Sequence, residues 1–178
     1  RLEVGAHAPR TLADLGLPPA VLADLSRAFD QPEGVVLLTG PSGSGKTTTL
    51  YAALGHLLAG GRRRAIVTVE DPVERRVPGV SQTQIDAAAG LTFPRALRSL
   101  LRQDPDVLLV GEIRDRETAA VALEAGLTGH LVASTIHAGR APLVFARLLD
   151  LGVEPFALTT AVRGVLAQRL VRRRGRRW

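Results

Sequence analysis

Cysteine and methionine are both absent from the 178 residues. Without cysteine there is no disulfide and no thiolate metal site, which fits a reducing compartment. A chain that opens at Arg1 and holds no methionine is expected to be a piece of a longer protein. Aromatic residues make up only 3% of the chain, so there is little to stack nucleic-acid bases on. No apolar run reaches the length of a membrane span, so direct insertion into a bilayer is not expected.

What is present is ordinary for a globular domain with a core: 46% hydrophobic and 22% charged residues. The net charge of +6 points towards anions, yet much of it sits in Arg62–Arg64 and Arg169–Arg177. Solvated arginines account for it more simply than a nucleic-acid surface, and no nucleic-acid partner is expected. A basic nucleic-acid-binding module with a vestigial nucleotide site is the competing class. Steeply salt-dependent DNA binding would reveal it.

The stretch Gly34–Thr49 organises the rest. Val35–Leu38 is a short continuous apolar run, as a buried parallel strand requires. Gly40, Pro41, Ser42, Gly43, Ser44, Gly45, Lys46 and Thr47 then spell G-x-x-x-x-G-K-[ST], with Thr48 following. Glycine allows the backbone to turn successive N–H groups inward around a phosphate chain. Lys46 supplies a cation for the outer phosphates, the Thr47 hydroxyl can ligate Mg²⁺, and the following helix presents its positive end. This predicts a nucleotide-phosphate site.

Along the chain, Arg1–Arg10 has no periodic pattern and reads, with residue 11, as a linker or the remnant of an upstream domain. Leucines from Leu12 and then Val21–Phe29 have helical spacing, with Pro18 and Pro19 suited to a first turn. The helix after Lys46 is expected to carry Leu50, Ala53, Leu54, Leu57 and Leu58 on its apolar side and to stop at Gly60. Strands are predicted over Ala65–Val69, Asp106–Val110 and Leu131–Ser134, with a short edge strand over Val80–Ile85. Helices are predicted over Phe93–Arg102, Arg116–Leu127, Pro142–Leu151 and Pro155–Leu170. Strands alternating with helices of this length indicate an α/β fold, a mostly parallel sheet flanked by helices.

Such a sheet binds its ligand beyond the carboxyl ends of its strands. Glu70 and Asp71 follow one strand end, Glu112 another, and Thr135 and His137 a third. Phosphoryl transfer to water needs a cradle, a metal and a group that positions or deprotonates the water. Glu70 and Glu112 are candidates for the water and for Mg²⁺, directly or through metal-bound water. Asp71 reads equally as a metal-water ligand or as a turn cap beside Pro72. An ion pair with Arg114 competes for Glu112. His137, and more weakly His130, are candidates to sense the γ-phosphate; a structural role competes for His130.

With these residues in place the chain resembles the nucleotide-binding C-terminal domain of secretion ATPases of the type II secretion and type IV pilus assembly class. Gly40–Thr49 resembles that family's Walker A loop and Thr68–Glu74 (TVEDPVE) its aspartate box. Leu101–Asp115 (LRQDPDVLLVGEIRD) resembles its Walker B stretch and Thr128–His137 (TGHLVASTIH) its histidine box. Gly90–Phe93 (GLTF), Leu151–Phe156 (LGVEPF) and Val165–Arg172 (VLAQRLVR) also match. The resemblance implies a RecA-like P-loop NTPase domain over residues 12–173, then a basic tail over 174–178 where the chain is cut short.

It further implies ATP and Mg²⁺ as ligands and a homo-hexamer that hydrolyses ATP to drive pilus or pseudopilus assembly. Lys46 and Thr47 would bind phosphate and metal, Glu70 and Glu112 would serve hydrolysis, and His137 would report on the nucleotide. Partners would be inner-membrane platform and assembly proteins, with the protein cytoplasmic and peripheral to that membrane. Retraction motors of type IV pili share these boxes and are the alternative; LGVEPF and VLAQRLVR favour assembly. The family's four-cysteine zinc insert after Arg172 has no counterpart, so no zinc site is expected in this stretch. Ala138, Gly139 and Arg140 replace the more usual small polar run after the second histidine.

Overall fold

The computed structural model describes residues 11–171, so most of the expected linker and the tail beyond 171 lie outside the described residues. Strand β1 (Gly34–Thr39) is buried at every position. Its side chains alternate between two cores, as the pleat dictates. Val35 and Leu37 join Val69, Val110 and Val132 beneath one face of the sheet. Val36 and Leu38 join Ile66, Leu109 and Ala133 on the other. Strands β2 (Ile66–Glu70), β4 (Val107–Val110) and β5 (Leu131–Thr135) are buried throughout, because helices cover both faces. This is why they read as largely apolar runs rather than as alternation.

With β3 (Ser81–Gln84) and β6 (Val162–Ala167), the six strands run in the order β3-β2-β4-β5-β1-β6, and every neighbouring pair is parallel. The edge strand β3 (Ser81–Gln84) is short and polar, a composition that discourages pairing with another chain. Helices α1 (Pro19–Phe29) and α2 (Lys46–Ala59) cover one face, together with a 3₁₀ turn over Leu12–Leu15. The leucine pattern from Leu12 breaks at Gly16, whose left-handed φ of 66° ends that turn. Helices α3 (Phe93–Leu101), α4 (Arg116–Leu127), α5 (Ala141–Asp150) and α6 (Pro155–Ala161) cover the other face. Asp115 caps α4, accepting hydrogen bonds from the Thr118 N–H and hydroxyl, both at 2.8 Å.

Two expectations are corrected. The helix expected over Pro155–Leu170 ends at Ala161, and Val162–Ala167 is instead strand β6, paired with β1. Val162, Val165 and Leu166 fit a helical stripe as well as a strand. What decides is the open edge of β1, whose backbone groups must be paired in a buried setting. Leu58, expected on the apolar side of α2, is 40% exposed, because one residue beyond Leu57 the helix has already turned away from the sheet.

Candidate active site

The turn after β1 brings the chain back on itself through Gly40 (φ 147°), where only glycine fits. A Cβ there would lie 2.2 Å from the Gln168 carbonyl oxygen and 2.7 Å from the Ser44 hydroxyl. Ser42, Gly43, Lys46 and Thr47 line a cleft of ≈230 Å³ above the carboxyl ends of the strands. Gly40, Pro41, Ser44 and Gly45 complete the loop behind them, and Thr48 is exposed one residue further along. Lys46 begins α2, so the unpaired N–H groups of that helix's first turn face the same space. The buried Lys46 ammonium donates to the carbonyls of Gly40 at 2.9 Å and Pro41 at 3.0 Å. Burial lowers its pKa, while the charge of Glu112 acts in the opposite direction.

Glu70 ends β2 in the far wall and is only 4% exposed. It is held by three donors. The Tyr51 hydroxyl donates to Oε2 at 2.5 Å, while the Thr68 hydroxyl and the Gln82 amide donate to Oε1 at 2.5 and 3.1 Å. Such a set compensates a buried carboxylate and fixes its direction. Tyr51 has its pKa pushed up to about 12, first by burial and then by the bond to Glu70. The Arg75 guanidinium lies 5.1 Å over the Tyr51 ring. Asp71 is exposed at the lip of the cleft. The turn beside Pro72 takes its hydrogen bond elsewhere, from the Val73 N–H to Gln84 Oε1 at 3.1 Å.

Glu112 follows β4, with its side chain 13% exposed. The ion pair weighed for it is present, with Arg114 2.5 Å from Oε1, while His137 lies 4.0 Å from Oε2. His137 owes its place to hydrogen bonds that stitch three strand ends together. Ile136 N–H donates to Leu38 O at 2.9 Å, and Ala138 N–H donates to the Thr39 hydroxyl at 3.1 Å. The Thr135 hydroxyl donates to Gly111 O at 2.8 Å. Lys46, Thr47, Glu70, Asp71, Glu112 and His137 thus share one cleft, as their positions after strand ends led one to expect.

His130 does not join them, and its expected contact with the γ-phosphate is corrected. It precedes β5, at the end of the strand opposite to His137, and its Nδ1 lies 3.2 Å from Ala125 O. There it closes the turn after α4.

The oxygen donors of Thr47, Asp71 and Glu112 suit a hard cation such as Mg²⁺. No cluster of three protein ligands occurs among the described residues. Glu70, with both oxygens already accepting bonds, is the carboxylate least free for it.

Reading the sequence missed the residues that hold the site. Tyr51 gave no motif signal, and Gln168, though inside the VLAQRLVR match, gave no sign that it reaches the phosphate loop. Tyr51 does stand one residue beyond Leu50, on the inward side of α2, and is the chain's only tyrosine. Gln168 lay inside a segment expected to be helical. Thr39, Thr68 and Thr135 were visible as polar residues in otherwise apolar strands, and that was the available clue.

Comparison with known proteins adds the following. The family described as type II/IV secretion system protein matches residues 4–176. The chain is 57% identical over 162 residues to the type II secretion system protein HxcR of Pseudomonas aeruginosa, covering 91% of this chain and 34% of that protein. It is 50% identical over 162 residues to the type IV pilus assembly ATPase PilB of Thermus thermophilus, covering 91% of this chain and 18% of that one. Among solved structures, the pilus retraction motor PilT with bound ADP superposes with a TM-score of 0.80 at 33% identity, over 93% of this chain and 50% of that one. The chain therefore spans about a third of the length of the curated HxcR relative it matches.

Proposed function

Because the chain belongs to the type II/IV secretion system protein family, we propose that it is the ATP-hydrolysing domain of a motor for protein secretion or pilus assembly. The observation that carries this reading is the convergence of Lys46, Glu70, Glu112 and His137, from four separate segments, on the cleft beside the phosphate loop. The Gly40–Thr47 loop cradles the phosphates, and Lys46 leaves the Gly40 and Pro41 carbonyls to meet them. Thr47 would hold Mg²⁺, with Asp71 and Glu112 reaching it through water, and the ion would supply charge neutralisation at the phosphate oxygens. Glu112 takes the proton of the attacking water through Oε2, as the water oxygen bonds to the γ-phosphorus and the bond to the bridging oxygen breaks. Glu70, fixed by its three donors, orients that water. His137, beside Glu112, responds to the terminal phosphate.

The cleft is smaller than the ~300–1,000 Å³ of a typical whole-ligand pocket, so the base and ribose need walls from elsewhere. We infer that these come from an upstream domain and from neighbouring subunits of a homo-hexamer. The RecA-like domain is taken to extend over residues 12–173. Its partners would be platform and assembly proteins at the cytoplasmic face of the inner membrane. No helix among the described residues is long and apolar enough to cross a membrane itself. Assembly is favoured over retraction by identity: 50% to the pilus assembly ATPase against 33% to the retraction motor.

The test is Glu112→Gln in the full-length protein. ATP should still bind, while hydrolysis falls by roughly 10²- to 10⁴-fold, the usual worth of a general base. Hydrolysis at the wild-type rate would remove Glu112 from the role.

A further inference from the structure

The phosphate loop is braced from behind by a residue at the outer edge of the sheet. Gln168 follows β6 directly, and its N–H donates to Thr39 O at 2.9 Å, carrying the β6–β1 pairing up to the loop. Its side-chain Nε2 donates to the Ser44 carbonyl at 2.8 Å. The fit is close on two sides. A Cβ at Gly40 would meet the Gln168 carbonyl oxygen at 2.2 Å, and a Cβ at Gly45 would meet Nε2 at 3.2 Å. Ser44 Oγ and Gln168 Oε1 are both buried without a hydrogen-bond partner at this contact.

The C=O and N–H of a trans peptide point in opposite directions. A bond that draws the Ser44 carbonyl back towards Gln168 therefore turns the Gly45 N–H the other way, into the concave side of the loop. The Ser44 N–H is already committed to Pro41 O at 3.2 Å, which makes the Gly45 N–H the donor whose direction is left to be set. We propose that Gln168 is a positioning residue for the phosphate chain: its amide holds the Ser44–Gly45 peptide in the orientation that binds the nucleotide's β-phosphate. The inference rests on the reading of this cleft as a nucleotide site. It adds a residue outside the loop motif, 124 positions away from Ser44 in sequence.

The experiment measures AMP and Mg-ADP binding by calorimetry, with thermal unfolding alongside, in full-length wild type, Gln168→Ala, Gln168→Glu and Val165→Ala. Glutamate keeps the shape of glutamine but, as a carboxylate, has no proton to give the Ser44 carbonyl. Val165 is on β6, paired with Leu37 and partly buried against the core. Both Gln168 variants should weaken Mg-ADP roughly five- to tenfold, the worth of one hydrogen bond, with AMP unchanged and Val165→Ala within about twofold of wild type. Should the alanine variant fail to fold, the near-isosteric glutamate variant decides alone. Wild-type ADP affinity in either Gln168 variant overturns the proposal. So does a loss of affinity that tracks the unfolding temperature across all three variants, since that is a structural effect. Absence of ADP binding by the wild type itself would instead sink the nucleotide reading, and this proposal with it.

Discussion

Tyr51 shows how a single side chain can support chemistry it does not perform. Its hydroxyl is spent on Glu70, and burial together with that bond raises its pKa to about 12. An unfolded tyrosine titrates near ~10. The folded state therefore keeps its proton when the unfolded state has lost it. The stabilisation is complete below about pH 10, declines as pH rises, and is gone above about pH 12. Because the chain has one tyrosine, its phenolate absorbance reports this residue alone. Ultraviolet titration of the folded chain should show a midpoint near 12, against about 10 in denaturant. A midpoint near 10 in the folded chain would mean that the Tyr51–Glu70 bond does not form. At this scale the sequence disclosed the residues whose chemistry is generic, Lys46, Glu70 and Glu112, because each follows a strand end or sits in a spaced motif. Tyr51 and Gln82, which hold Glu70, act through hydrogen bonds between separate segments, and local spacing carries no trace of those. His130 and His137 flank one strand, and β5 carries them to opposite ends of the sheet, which fits the weaker case the sequence made for His130.

Among the elements, α4 is pressed hardest against the sheet. A Cβ at Gly126 would lie 2.5 Å from Val35 Cγ2 and 3.2 Å from the Gly34 carbonyl carbon, on the strand that leads into the phosphate loop. In an exposed helix, Gly→Ala stabilises by up to ~1 kcal/mol. Here overpacking reverses the sign, and Gly126→Ala should destabilise by about 1–3 kcal/mol in denaturant unfolding. Adding Val35→Ala should recover part of the loss, since it removes the clashing methyl groups; an unchanged or raised midpoint in the single variant would refute this packing. Most elements were legible because period and punctuation agree, as in α2, which runs from the loop to Gly60. Strand β6 was not. Its apolar spacing suits helix and strand alike, and the vacant edge of β1 that settles the matter is a tertiary fact.

For the molecule as a whole, the all-parallel sheet sets every strand's carboxyl end on one rim, and a site assembled there is open on its outer side. The His137 side chain is 57% exposed, and Asp71, Ser42 and Gly43 are exposed as well. An open rim binds a ligand but does not exclude bulk water from it, and enclosure strengthens the electrostatics of catalysis. The isolated chain should therefore bind Mg-ADP yet hydrolyse ATP at a small fraction of the full-length rate. Its activity per chain should increase with protein concentration as neighbours meet. Activity that matches the full-length protein and does not depend on concentration would show that one copy completes its own site.

The outermost strand also sets a timetable. The segment that will become the phosphate loop is among the first parts of the domain to be synthesised, but β1 is fully paired only when β6 arrives. The last brace, Gln168, comes later still. Contacts between such distant segments form late, because the loop between them must close before they can repay its entropy. As this domain is synthesised, the Gly40–Thr47 segment therefore exists well before the strand and the side chain that brace it.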